Sequence, residues 1–302
     1  MPTIKEPAEL AEKTLSEEKN HFKFGYILFT CTSSNPFFLD VVEGIASRAA
    51  ELRESGVTVE IRYCTVDDPD LQVRHIDDLL KSGIVGLALT PINHPTVVDR
   101  IRALTEEGFP VVTANSDLPG SGRLAYVGSD YFKGGETAAG LINLFCAGRV
   151  CAGIVTGSPL VLCHSERIEG FMSRIEKAYP DITVAGTEAC YDDDLESYNV
   201  TKRLLKKYPA INALYVVAGG AIGSCRAIEE LGLTGRIKLI SNDAAAEYDL
   251  INSGAITATI TQEPFVQGSK PLDILTDYVN KGIKPANQIF NTAIDIKILE
   301  NL

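Results

Sequence analysis

The chain has no CxxC pair, no clustered histidines, no long apolar run and no excess of positive charge, and each absence removes a class of function. Its seven cysteines, an odd number, and its four histidines are scattered, so no metal-ligand set is expected. No apolar stretch approaches the roughly 20 residues of a membrane-spanning helix. Residues 1–20 interleave Glu6, Glu12, Glu17 and Glu18 with Lys5, Lys13 and Lys19 and contain no apolar segment of the export-signal kind. Free thiols without such a signal predict a reducing, cytoplasmic compartment. A formal net charge of −12 predicts that neither nucleic acid nor an anionic membrane is held by the chain's own surface.

Catalytic patterns are missing as well. Gly219-Gly220 lacks the spacing of a dinucleotide fingerprint. Ser158 lacks the flanking glycines of a nucleophile elbow, and His164 has no second member of a dyad other than Asp243. Asp192-Asp193-Asp194 fits a solvated helix start better than a metal site. No cofactor is expected, and the chain is read as not an enzyme. Cys146 and Cys225 fall on apolar helix faces and are expected in the core.

What is present is a strand–helix alternation that runs twice. Strands are predicted at 23–30, 57–63, 84–89 and 110–114, with helices at 38–54, 69–82 and 95–107. A short strand at 124–127 precedes a second series. Its helices are predicted at 131–147, 166–179, 194–207, 220–231, 244–252 and 265–281, and its strands at 150–156, 182–190, 212–217, 238–241, 256–261 and near 290–298. The pattern predicts an α/β chain of two doubly wound parallel-sheet lobes, with strand carboxyl ends lining the gap between them.

The residues after each strand are the candidate site. They are Thr32, Ser33, Asn35, Phe37 and Phe38; Thr90, Pro91 and Asn93; Asn115, Ser116 and Asp117; Ser158, His164, Ser165 and Arg167; Tyr191 and Asp192; Ala218, Gly219 and Gly220; Asn242 and Asp243; and Gln262 and Glu263. Amides, carboxylates, one arginine and aromatics suit a sugar or polyol: hydroxyls need paired donors and acceptors, and C–H faces need an apolar platform. For Asp130, Ser165 and Asn242 a helix-capping role fits equally. The run Ser34-Asn35-Pro36-Phe37-Phe38 fits a turn with two core phenylalanines as well as an aromatic shelf beside an amide. For Arg167 and Asp243 ligand contact is the stronger reading, because a buried charge at a strand end needs partners.

Five stretches together resemble the type I periplasmic-binding-protein superfamily over roughly residues 23–300. They are SNPFF at 34–38, AYVGSDYFKGGETAAG at 125–140, ERIEGF at 166–171, ISNDAAAEYDLINSG at 240–254 and ATITQEPFVQG at 258–268. The resemblance implies that Asn35, Phe37 and Phe38 hold one face of a sugar. It implies that Arg167, Asp243 and Gln262 bond its hydroxyls, with Asn115 and Tyr191 at further family positions; Thr90, which follows the third strand, completes the candidate ligand set. Asn115 stands where ribose-type proteins often carry aspartate, and Ser116 follows where arginine does. Ala218-Gly219 stands where an asparagine–aspartate pair is expected.

The resemblance also implies three crossings near 129, 262 and 289, forming a hinge. It divides the chain into a leader at 1–22, an N-terminal lobe at 23–129 plus 263–289, and a C-terminal lobe at 130–262 plus 290–302. Cysteine usage and the 115–135 stretch resemble the effector-binding domain of LacI-family transcription regulators. The expectation is therefore a cytoplasmic homodimer that closes on a sugar or polyol and contacts DNA only through a helix-turn-helix headpiece missing from this chain. The alternative is a solute-binding receptor of a sugar ABC transporter with its signal peptide removed. An enzyme acting on a sugar derivative and a partner-binding module without ligand are further readings from other classes.

Overall fold

The computed structural model describes residues 21–30, 37–243 and 248–302. The predicted leader lies almost wholly outside the described residues. The first lobe runs β1 (Phe22–Phe29), α1 (Phe37–Arg53), β2 (Val57–Cys64), α2 (Pro69–Lys81), β3 (Gly86–Leu89), α3 (Pro95–Glu106), β4 (Val111–Ala114) and β5 (Ala125–Ser129). The second runs α4 (Tyr131–Phe145), β6 (Val150–Thr156), α5 (Leu162–Ala178), β7 (Ile182–Ala189), α6 (Asp194–Lys207), β8 (Ala213–Val216), α7 (Ala221–Glu230), β9 (Lys238–Asn242), α8 (Tyr248–Asn252) and β10 (Ala258–Thr261). The chain then returns through α9 (Pro264–Lys281) and β11 (Ile289–Thr292) and ends with β12 (Asp295–Lys297).

The strands form two six-stranded sheets, ordered β2-β1-β3-β4-β5-β11 and β7-β6-β8-β9-β10-β12. Every pairing is parallel except β10 with β12. Helices cover both faces, so the central strands are apolar on both sides. In the second sheet, Ile154, Tyr215 and Ile240 enter one core with Phe171 of α5. Their neighbours Val155, Leu214, Val216 and Leu239 enter another core with Val200 and Leu204 of α6. That is the period-two alternation of a strand spent on two buried faces.

Helix starts follow local chemistry. Asp68 caps α2 by accepting from Leu71 N at 2.7 Å, ahead of Pro69. Asp130 caps α4 through Lys133 N, and Asp193 caps α6 through Glu196 N. α5 begins at Leu162, four residues before the predicted start, with Val161 as an N-cap that makes no side-chain cap bond. Ser165 is therefore inside the helix rather than a cap. Asn242 is the last residue of β9 and also not a cap. The single strand predicted near 290–298 is two strands, one in each sheet, so the third crossing falls after Thr292 rather than at 289. Cys225 is buried, whereas Cys146 is half-buried at the C-cap of α4. Among the described residues no helix is long and apolar enough to cross a membrane.

The two lobes repeat one packing device. The helix that enters each lobe, α9 or α4, lies against that lobe's first helix, α1 or α5, at a glycine contact. A Cβ on Gly268 of α9 would sit 2.1 Å from Val41 O, and one on Gly44 of α1 would sit 2.1 Å from Phe265 O. A Cβ on Gly135 of α4 would sit 1.9 Å from Arg167 O. α9 also contains Pro271, which leaves the carbonyl of Gln267 without its helical donor. The buried Tyr26 hydroxyl of β1 donates to that carbonyl at 3.1 Å.

Gly135→Ala is expected to lower stability by about 1–3 kcal/mol, because overpacking outweighs the helix-propensity gain. Adjacent Gly134, whose added Cβ would meet nothing within 4 Å, is the control. Denaturant unfolding checks both variants. Equal stability of Gly135→Ala and Gly134→Ala would contradict the close-approach account.

Candidate ligand-binding cleft

The carboxyl ends of both sheets face one cavity of about 540 Å³. That volume lies within the range of small-molecule sites, about 300–1,000 Å³. The first lobe supplies an aromatic shelf. Phe37 and Phe38 open α1, and Phe29 ends β1. Phe38 packs edge-on to Phe29 at 5.9 Å and to Phe37 at 5.2 Å. Edge-to-face packing holds the rings in place while they border the cavity. Cys64, Thr65, Val66 and Asp67, at the end of β2 and in the loop that follows it, continue the wall.

The second lobe supplies charge. Arg167 projects from α5, almost fully buried. Its Nη1 donates to Val217 O at 2.7 Å and its Nη2 to Asp243 Oδ2 at 3.3 Å. Its guanidinium lies 4.8 Å from the centroid of the Tyr131 ring. Burial works against the charge, but the adjacent Asp243 carboxylate overrides it and raises the guanidinium pKa further. Burial raises the pKa of Asp243, against the opposing pull of Arg167 and of the amide of Gln262, which also bonds Oδ2. The Cys163 thiol in the first turn of α5 is pushed up to about 12 by burial, which makes it a packing group rather than a nucleophile.

The lobes meet in this structure. Asn93 N donates to Leu160 O at 2.8 Å, and Val161 and Cys163 are buried in the first-lobe core. Gln267, fully buried in α9, ties the crossings together. Its amide nitrogen donates to Gln262 O at 2.8 Å and reaches Gln262 Oε1 and Thr292 Oγ1 at 3.1 and 3.3 Å. Its Oε1 accepts from Asn115 at 3.3 Å. Tyr126 Oη donates to the carbonyls of Asn115 and Ser129, each at 3.1 Å. Among the described residues five non-glycines have positive φ: Asn115, Tyr191, Asp192, Asp243 and Glu263. The first four line the cavity, and the fifth follows Gln262, which also lines it. Each left-handed residue costs on the order of 1–3 kcal/mol and persists where its surroundings hold it.

Of the predicted ligand set, Phe37, Phe38, Asn115, Arg167, Tyr191, Asp243 and Gln262 line this one cavity. Asn35, with Thr32 and Ser33, lies outside the described residues. Thr90 is not part of the lining. It is fully buried, and its carbonyl accepts from Gln72 at 3.0 Å, so it belongs to the loop clamp beneath the cleft. Asp117 is likewise spent on structure, bonding Thr113, Leu118 N and the Arg123 guanidinium. The loop after β2 and Gln267, which ties the crossings, are not among the candidates the sequence offers. The rule that named the other strand ends would have reached Thr65–Asp67; no spacing marks Gln267.

Glu166, beside Arg167, has its carboxyl pushed up to about 7 by burial first, and then by Asp117, Asp130 and Glu169. A carboxyl raised in the folded state stabilises at low pH, and that contribution is lost as pH rises from its ordinary value of 4.5 to about 7. Glu166→Gln is expected to raise the unfolding temperature above pH 7 and to flatten its decline across that window. A thermal-melt series from pH 4.5 to 8 with the same slope in both proteins would contradict this.

The model of the periplasmic binding protein domain family matches residues 25–283. The chain is 24% identical over 280 residues to the ribose import binding protein of Bacillus subtilis (strain 168), covering 91% of this chain and 87% of the relative. It is 26% identical over 270 residues to the D-allose-binding periplasmic protein of Escherichia coli (strain K12), covering 85% of each. It superposes with TM-score 0.80 and 26% identity on the sugar-binding protein of a sugar ABC transporter from Bacillus halodurans, covering 92% and 98% of the two chains. These relatives are import and transport binding proteins, not transcription regulators and not enzymes. They overturn the expectation of a LacI-type effector domain, and with it the regulatory role and the cytoplasmic location. A DNA partner and a homodimer find no support among them. The physical source of the error is the cysteines. Cys64, Cys163, Cys190 and Cys225 are buried, and buried thiols pack as small apolar groups. The chain belongs to the periplasmic binding protein domain family.

Proposed function

We propose that the chain is the solute-binding receptor of a sugar ABC importer and that it closes its two lobes on a monosaccharide or closely related polyol. The observation that carries this reading is the opposition, across one cavity, of the Phe37–Phe38 shelf to the Arg167–Asp243–Gln262 group. A sugar ring presents a C–H face to the first and hydroxyls to the second. The names of its relatives, which bind ribose or allose or serve sugar transport, support the same class. A ligand touching both walls favours the closed arrangement through its differential affinity for that state.

Titration calorimetry with D-ribose, D-allose, D-glucose and D-galactose is the test. Saturable binding of at least one, with a rise in unfolding temperature, is expected. Folded protein that is silent to all four would sink the sugar reading. Arg167→Ala is expected to weaken the best sugar by about 2–5 kcal/mol, because Asp243 would be left as a buried charge without its partner. Phe37→Ala should cost less, about 1 kcal/mol beyond lost area. Unchanged affinity in a folded Arg167→Ala protein would remove Arg167 from the site.

A further inference from the structure

Gln267 is fully buried and is not part of the cavity lining, yet its side chain touches one lining residue from each lobe. Asn115 follows β4 of the first lobe, and Gln262 follows β10 of the second. Gln267 has a fixed seat on α9. Its carbonyl is held by Tyr26 Oη, and the next residue, Gly268, lies against Val41 O of α1.

An amide side chain has one accepting end and one donating end, and its neighbours decide which way round it sits. Gln267 Nε2 lies 2.8 Å from Gln262 O. A backbone carbonyl only accepts, so the Gln267 amide cannot be flipped. Its Oε1 then accepts from Asn115 at 3.3 Å, which requires the NH2 end of Asn115. That same NH2 group also meets Tyr131 Oη at 3.1 Å. Gln267 Nε2 meets Gln262 Oε1 at 3.1 Å, which turns the NH2 end of Gln262 to Asp243 Oδ2. The partners of Gln267 are thus two amides, a carbonyl and the Thr292 hydroxyl, all uncharged. Asn115 is left with its side-chain oxygen to offer a ligand, and Gln262 with its second N–H.

We propose that Gln267 is a positioning residue of the sugar site: from outside the cavity it sets the amide orientation of Asn115 and Gln262, so that toward a bound sugar the first accepts and the second donates. The inference rests on the sugar-receptor reading and deepens it. One buried side chain fixes the hydrogen-bonding sense of an amide in each lobe, and the sugar selected is one whose hydroxyls match both.

Calorimetry on the intact chain tests this with the best binder among D-ribose, D-allose, D-glucose and D-galactose. The proteins are wild type, Gln267→Met, Gln267→Glu, Asn115→Ala and the double variant Asn115→Ala with Gln267→Met, each checked for folding by thermal melt. Methionine keeps the length and loses both hydrogen-bonding ends, so it should weaken the sugar roughly tenfold or more. In the Asn115→Ala background the same change should cost at least about threefold less, because it acts through that amide. Glutamic acid supplies a donor only while protonated, and as a carboxylate it would face the two oxygens of Gln262. Burial beside those oxygens favours the neutral form. The affinity of Gln267→Glu relative to wild type should therefore be nearest to one at pH 5 and fall by pH 9. Gln267→Met within about twofold of wild type, an equal loss in both backgrounds, or a Gln267→Glu ratio independent of pH overturns the inference and leaves the receptor reading standing. Should Gln267→Met unfold, the Gln267→Glu series carries the test. If wild type binds none of the four sugars, the receptor reading falls and this inference with it.

Discussion

A buried guanidinium organises the cleft. Arg167 sits between the face of Tyr131, the carbonyl of Val217 and the carboxylate of Asp243, almost out of contact with water. A charge in that position is tolerated only when it is paired and hydrogen-bonded; breaking such a pair costs about 3–5 kcal/mol. Each partner comes from a different element: Tyr131 from α4, Val217 from the end of β8, Asp243 from the end of β9. Holding them together therefore holds the carboxyl edge of the second sheet in one shape. The glycine contact of α4 against the Arg167 carbonyl fixes the backbone from which the side chain projects.

The same edge is tied to the hinge. Gln262, which bonds Asp243, is also bonded by Gln267, and Gln267 reaches Asn115 and Thr292. Polar groups at the site and at the crossings thus belong to one network, as do the left-handed residues Asn115 and Asp243. A group bonded at this edge would touch the same network that holds the crossings.

Much of this was legible beforehand. Alternating strand and helix patterns announce two parallel sheets, and strand ends name the cleft residues before any coordinate is known. Phe37, Arg167 and Asp243 were identified on that rule. Its failures have specific causes. α5 begins before the predicted 166 because Val161 caps it without a side-chain bond, which leaves Leu162 with no start signal in the sequence. The strand near 290–298 was read as one because periodicity does not register a change of sheet at Ala293-Ile294. Thr90 follows a strand and so suits a ligand contact by position, but it does not line the cavity and its carbonyl is held by Gln72 from α2, a contact no local pattern registers. Cysteine usage points to a reducing compartment, but the buried thiols here serve as packing groups and the relatives are import proteins.

The crystal structure of the complex with whichever sugar binds tests the central claim most directly. The account predicts the ring against Phe37 and Phe38, with its hydroxyls bonded to the intact Arg167–Asp243 pair. A sugar bound elsewhere, or a cleft whose Arg167 and Asp243 part and leave the ligand untouched, would contradict it.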